Sequence, residues 1–496
     1  MSSVREKHAQ ATALERSTAD RSRADGGVAE PGNPPSLRPM DFTPGAQQPV
    51  PQRGINPTEP PMELGGGPLG AVRFSPIRGS RSAVIAVAVP VGSRDEKKGE
   101  EGAAHFLEHV LFKRTAAFDG ATALWSAIET IGGEANAATD HELTTYYVDV
   151  PRSGLQEAAG ILGEIVLASR YTSADIESER GVVVEEIRGL ADDPDELVHA
   201  GIDAAIFGAG HMLARNVAGS VEAIKKLPEK AIRSFQARHY LPGTMSFAVA
   251  GDLNPGEVSR ARDAFTRSLD LTARKAPMRP IRALAKHPVS TPKPKGELLV
   301  ATVDDIAQAR LVLGVPSFAR NHPDRPAITL LDSLLGGGSG SRLFIRLREE
   351  AGLAYDVDTD VFEFADAGTF VLSVGVDPSR LTEAADAMLG ELRRLLSTDI
   401  SEEELARAKG YAIGGIERFA ADIEGTADWR AGEPLLDTRF RRVEEEITAI
   451  RSVEADYVAE VAARLFRKGQ LRFSVVAPSA AIRSFKTALG KGKFDL

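Results

Sequence analysis

The order of segments between residues 82 and 252 repeats itself between residues 309 and 478, and this constrains the fold more than any single motif. The apolar run SAVIAVAVPVGS (82–93) is echoed by ARLVLGVPS (309–317). The Thr- and Tyr-rich NAATDHELTTYYVDVP (136–151), a strand or a hairpin, is echoed by GTFVLSVGVDP (368–378). SGLQEAAGILGEIVLASRYTSADIESERGVVVEEI (153–187) is echoed by SRLTEAADAMLGELRRLLSTDISEEELARAKGYAIGGI (379–416), and SFAVAGD (246–252) by RFSVVAP (472–478). The short β-branched runs read as strands and the longer stretches between them as helices. A repeat of this kind predicts two related α/β domains of roughly 200 residues each.

Within the first copy, helices are expected over 102–113, 121–131, 155–168 and 173–190, with a strand over 244–250. In the second, 324–335 reads as a helix stopped by Gly336-Gly337-Gly338. The expected layout is a Pro/Gly-rich disordered arm over 1–68, a first domain over 69–275, a Pro- and Lys-rich linker over 276–297 and a second domain over 298–496. The chain has 60 Lys and Arg against 70 Asp and Glu, a net charge of -10, so its charge gives no support for nucleic-acid binding. It has no Cys, so any metal must be held by His, Asp or Glu. No run of 18 apolar residues marks a membrane span, and the first residues lack the apolar core of a secretory signal. The cytoplasm is the expected location.

The segment GAAHFLEHVLFKRT (102–115) carries the chemistry. On a helix, His105 and His109 lie one turn apart on one face, where two imidazoles can grip one ion. Glu108 reaches the same face and can take a proton from a metal-bound water. The order H-x-x-E-H inverts H-E-x-x-H and is a metallopeptidase signature in its own right. An incidental polar helix face is the competing reading. Against it, Phe106, Leu107, Val110, Leu111 and Phe112 make this helix strongly apolar, and His and Glu buried there need partners. A third ligand is expected from a carboxylate on another helix. In ESERGVVVEEIRGLADDP (177–194), Glu179 and Glu186 are two helical turns apart. Glu186 is the candidate ligand, and Glu179 a residue that orients a histidine or the water. A salt-bridged helix face is the competing reading there.

These motifs, in this order, resemble the pitrilysin and mitochondrial processing peptidase family, the inverzincins. The resemblance runs from about residue 71 to residue 477 and includes the inverted motif. GGEANAATDHELTTYY (132–147) is similar to the family's active-site strand, and ERGVVVEE (179–186) matches its E-R-x-V-x-x-x-E segment. AIFGAGHMLARNVAG (205–219) resembles the loop that follows, and GGGSGSRLFIRLREEAGLAYDV (336–357) the Gly-rich segment ending in G-L-A-Y. The resemblance implies an α+β fold: two homologous domains, each an antiparallel-rich sheet flanked by helices, form one half of a clamshell around a peptide or unfolded polypeptide substrate. It puts one Zn2+ per chain on His105, His109 and Glu186, makes Glu108 the general base and gives Glu179 a further acidic role in catalysis. It also implies an edge strand with Asn136, Ala137 and Thr139 that pairs with substrate, and a Tyr355 that contacts the substrate backbone.

The resemblance further implies an Arg four residues before that Tyr. Ala351 stands there, and Arg346 and Arg348 lie off register. The expectation is therefore a heterodimer with a zinc-less homologue carrying the Arg/Tyr pair, or else a homodimer. The second half has no H-x-x-E-H, and Gly414-Gly415 stands where Glu185-Glu186 stands in the first. The expected function is a zinc-dependent endopeptidase that cleaves peptides or presequences. Two readings compete with it: a non-catalytic structural or assembly subunit, and a metal protein inactive until it meets its partner.

Overall fold

The computed structural model describes residues 62–64, 68–269, 298–436 and 442–491. The linker expected over 276–297 and almost all of the arm expected over 1–68 lie outside these residues. Two mixed sheets organise the rest. The first runs, in spatial order, β1 (Met62–Glu63), β2 (Ala71–Pro76), β6 (Ser246–Gly251), β3 (Ser82–Val89), β5 (Thr144–Pro151) and β4 (Glu134–Thr139). The second runs β7 (Leu298–Thr302), β11 (Arg472–Ala477), β8 (Ala309–Ser317), β10 (Gly368–Val376) and β9 (Ala354–Glu363). From β2 and from β7 onward the two orders are the same. Each sheet has one parallel pair, β2–β6 and β7–β11, and is otherwise antiparallel. The antiparallel-rich α+β class that the resemblance implies is the class observed.

One boundary needs correcting. β1 falls inside the arm expected to be disordered, yet it pairs with β2 in the register Met62↔Phe74 and Glu63↔Arg73. Met62 and Leu64 pack against the first core. Composition averaged over the arm hides this, because an open strand edge such as that of β2 offers backbone partners to any short segment beside it.

The first half carries helices α1 (Ala103–Leu111), α2 (Ala121–Thr130), α3 (Leu155–Leu167), α4 (Ser173–Asp192), α5 (Pro194–Phe207), α6 (Val221–Lys226), α7 (Glu229–His239) and α8 (Pro255–Phe265). The second carries α9 (Arg325–Leu335), α10 (Leu381–Ser397), α11 (Glu402–Ala421), α12 (Ile423–Leu436), α13 (Val443–Ser452), α14 (Ala455–Leu465) and α15 (Ser479–Gly490). No helix among the described residues is long and apolar enough to cross a membrane.

β3 shows why the strand signal is a continuous apolar run. Ala83, Ile85, Val87 and Val89 enter the main core of the first half, while Val84, Ala86 and Ala88 enter a second cluster on the opposite face. A strand covered on both faces needs no polar alternation. The cover on that second face comes from the other half: Ala427, Ala431 and Leu435 of α12. In return, Val198, Ile202 and Ile206 of α5 pack on Val312, Val371 and Val476 of the second sheet. Close approach requires Gly314 in β8, where a Cβ would lie 2.8 Å from Ile202 Cγ1. Each half thus lends one helix to its neighbour's sheet, and the two are held together by apolar burial.

Candidate metal centre and active site

Helix α1 begins at Gly102, whose φ of 85° is left-handed and whose missing side chain leaves room for the Ala218 carbonyl. Phe106, Leu107, Val110 and Leu111 are buried, which fixes the rotation of the helix and turns His105, Glu108 and His109 toward one polar face. Helix α4 starts at a reciprocal Thr172/Asp175 cap and buries Ile176, Val183 and Ile187. Glu179 and Glu186 therefore lie on the side of α4 that meets α1.

The two helices bring three donors to one point. His105 Nε2 lies 3.3 Å from His109 Nε2, and the Glu186 carboxylate lies 3.4 Å from the first and 3.3 Å from the second. Among the described residues this is the one group of three or more His, Asp or Glu that could hold a metal ion. Its dimensions fit zinc. A tetrahedral ion with bonds of about 2.0–2.1 Å has ligand-to-ligand edges of about 3.3–3.4 Å. The two imidazole nitrogens span one such edge, and the carboxylate sets Oε1 beside His105 and Oε2 beside His109, so that its oxygens flank the same point.

The charges fit as well. Burial by itself would depress the His109 imidazole, but bonds to Glu179 and Glu186 and the charge of Glu108 reverse this and push it up to about 10. Burial would raise Glu186, yet His105 and His109 hold its carboxyl well below the usual range. Three carboxylates gathered around two imidazoles favour a cation among them.

Glu179 stays outside the donor triangle. Its Oε1 meets His109 Nδ1 at 3.1 Å, the contact that fixes the tautomer and orientation of a metal-binding imidazole. Its other oxygen is ion-paired with Lys113, a residue the sequence reading did not single out. The signal was available: Lys113 follows His109 by one helical turn. Glu108 is held differently, accepting a hydrogen bond on Oε2 from the Thr139 hydroxyl at the end of β4. The motif could not show this bond, which depends on the sheet edge lying against the helix.

Among the described residues β4 pairs only with β5, so it is the outer strand of its sheet. Asn136 and Ala137 lie on it, and the Ala137 N–H donates to the Asn136 side chain, Oδ1, at 2.8 Å instead of to a neighbouring strand. Tyr355 stands at the start of β9, the corresponding outer strand of the second sheet, with its side chain 72% exposed. Ala351 ends a π-helical turn, Phe344–Glu350, and packs against the second core. Arg348 lies with its guanidinium 4.7 Å from the centre of the Tyr355 ring and donates to the Tyr355 carbonyl at 3.1 Å. An Arg therefore accompanies Tyr355 in this chain. The wide i→i+5 turn and the chain reversal after it bring Arg348 back onto Tyr355.

Comparison with known proteins agrees with this architecture. Residues 76–220 match the family described as insulinase, peptidase family M16, and residues 226–410 match the peptidase M16 inactive domain. An uncharacterized zinc protease of Mycobacterium leprae is 34% identical over 413 residues, covering 82% of this chain and 90% of that one. The crystal structure of a protease from Helicobacter pylori superposes with a TM-score of 0.71 at 21% identity, over 84% of this chain and 99% of that one. A peptidase M16 inactive domain from Pseudomonas fluorescens superposes at 0.74 with 18% identity, over 84% and 98%. With two sheets of one strand order, a His-His-Glu cluster that among the described residues occurs in the first half alone, and a relative at this level of identity, the chain belongs to peptidase family M16, the pitrilysin-like family its motifs resemble.

Proposed function

We propose that the chain is a zinc-dependent endopeptidase, with one ion held by His105, His109 and Glu186 and with Glu108 as general base. The observation that carries this reading is the convergence of the His105 and His109 nitrogens and the Glu186 carboxylate at zinc-like separations, with Glu108 on the helix that carries the two imidazoles. When bound, the ion supplies Lewis acidity: it makes a water acidic near neutral pH and polarises a peptide carbonyl. The rest falls to the chain. Thr139 occupies Glu108 Oε2, which leaves Oε1 to accept the proton as the water oxygen attacks the carbonyl carbon. The same oxygen returns that proton to the amide nitrogen as the C–N bond breaks. Glu179 keeps the His109 ring in place throughout.

An extended peptide is the substrate class that suits β4. Its outward backbone groups would add the peptide as a further strand, the Asn136 side chain giving up Ala137 N–H to a substrate carbonyl. The intact donor set with a base beside it argues against a purely structural subunit, which needs no such base.

Arg348 beside Tyr355 supports an arrangement in which this chain supplies both the donor set and an Arg/Tyr pair. A pair of identical chains would serve, the Arg348 and Tyr355 of one copy facing the donor set of the other. Mixing tests it. Glu108→Gln and Arg348→Ala chains should each be inactive alone, and a mixture should recover activity through sites that combine one intact half from each. No recovery in subunit-exchanged mixtures would sink the two-copy arrangement. Wild-type chain loaded with zinc that cleaves no unfolded polypeptide would sink the peptidase reading itself.

A further inference from the structure

The segment Gly92–Glu96 touches three separate parts of the molecule. Its first contact is the β4–β5 turn: Ser93 N–H donates to the Asp140 carbonyl at 3.1 Å, Arg94 N–H to the His141 carbonyl at 3.0 Å, and Ser93 Oγ meets His141 Nδ1 at 2.8 Å. The approach is so close that a Cβ on Gly92 would lie 2.2 Å from the Asp140 carbonyl oxygen. Its second contact is the start of α1. Glu96 accepts N–H bonds from Gly102 and Ala104, each at 3.0 Å, and so anchors the first turn of the helix that carries His105. Its third contact is the other half. The Arg94 guanidinium, with no exposed side-chain surface, bonds Glu142 at 2.6 Å and Asp366 at 2.8 and 2.9 Å. Glu142 in turn takes Arg320 at 2.6 Å and the Ala365 N–H at 3.0 Å, both from the second half.

We infer that this segment is a positioning strap: Arg94 and Glu96 set the base-bearing helix against the substrate edge and make that setting depend on contact with the second half. Glu108 on α1 and Thr139 on β4 meet through one hydrogen bond, and the strap grips both partners from outside the site. Removing one partner from a buried ion network leaves an uncompensated charge behind, so the setting responds strongly to the loss of any one member. The network also gives the metal-free half a role, since Asp366 and Arg320 hold the strap that holds the site.

This inference rests on the proposed zinc site, but hydrogen exchange reads it in metal-free protein whether or not the chain cleaves anything. Asp366→Asn should speed amide exchange roughly tenfold or more at residues 140–143 and in the first turn of α1, the loss of one charge-assisted hydrogen bond. Elsewhere in the first half exchange should hold at wild-type rates. Zinc affinity, read by chelator competition, should weaken about tenfold, the low end for residues that support metal ligands. Glu96→Gln should loosen α1 and leave residues 140–143 protected, and the two changes should be non-additive in zinc affinity. If Asp366→Asn does not fold, Ser93→Ala removes one contact to the turn and should show the same pattern in smaller measure. Wild-type exchange in α1, or uniform acceleration across the first half, would overturn the strap. A wild-type chain that binds no zinc would overturn the metal site and leave the exchange result to decide the strap.

Discussion

The two halves share one strand order and differ in what they do with one helix face. In the first, α1 turns His105, Glu108 and His109 outward and α4 meets them with Glu179 and Glu186. In the second, α9 offers Asp332 to Thr359 on β9 at 2.7 Å, much as Glu108 takes Thr139, but no imidazole accompanies it. Helix α11 has the same reciprocal cap as α4, Ser401/Glu404 against Thr172/Asp175, and each capping carboxylate takes an Arg, Arg342 in one half and Arg114 in the other. Where α4 carries Glu186, α11 runs through Gly414 and Gly415. The C-terminal end of α9 is closed off: Arg407 donates to the carbonyls of Ser333, Leu334 and Gly337, and the Tyr411 ring lies against Gly337 and Gly338. The frame thus tolerates loss of the donor set because those side chains project from the core and do not build it.

The strongest break of the comparison is a matched pair of substitutions. Glu108→Gln should lower kcat by about 10²–10⁴-fold, the range of a general base, with zinc still bound. Asp332→Asn, the counterpart in the other half, should leave kcat near wild type; a comparable loss there would place chemistry in both halves. Glu186→Gln should take zinc from near one per chain to near none after dialysis. Glu179→Gln should retain the ion with affinity about 10–100-fold weaker, since it removes only the support of His109.

A smaller effect tests the exchanged helices. Gly314→Ala should cost about 1–3 kcal/mol in denaturant unfolding, because the new methyl meets Ile202 and Ile206 of α5 inside a packed layer. A neutral result would mean that α5 is loosely seated. The smallest effect is a pH dependence. Burial pushes the Asp332 carboxyl up to about 7 from its ordinary 3.8. Between these values the folded chain keeps a proton the unfolded chain has released, so wild-type stability falls as pH rises through that window. Asp332→Asn carries no such proton, so its Tm should gain on wild type from about pH 4 to pH 7 and keep a constant lead above that. A gap that does not change with pH would remove this charge from the account.

The local features were legible because they depend on neighbours along the chain. The strands over 309–317 and 368–376 and the helices around His105 and Glu186 follow from periodicity and caps, and the donor residues from one-turn and two-turn spacings. The β4–β5 hairpin was half read: the sequence marked the residues but left open a single strand or a pair. The Arg348–Tyr355 contact was not read, because a π-turn and a reversal intervene between the two residues.

The sequence by itself marked the duplication and two sets of candidates, His105, Glu108 and His109 on one helix and Glu179 and Glu186 on another, since each set is written in short-range order. Only the tertiary structure decided that α5 and α12 cross to the opposite sheets, that Thr139 grips Glu108, and that Arg94 reaches Asp366. These contacts join residues far apart in the chain, and no local pattern ranks one distant partner above another. The choice is made by which apolar faces and buried charges can be satisfied at once when the two halves pack.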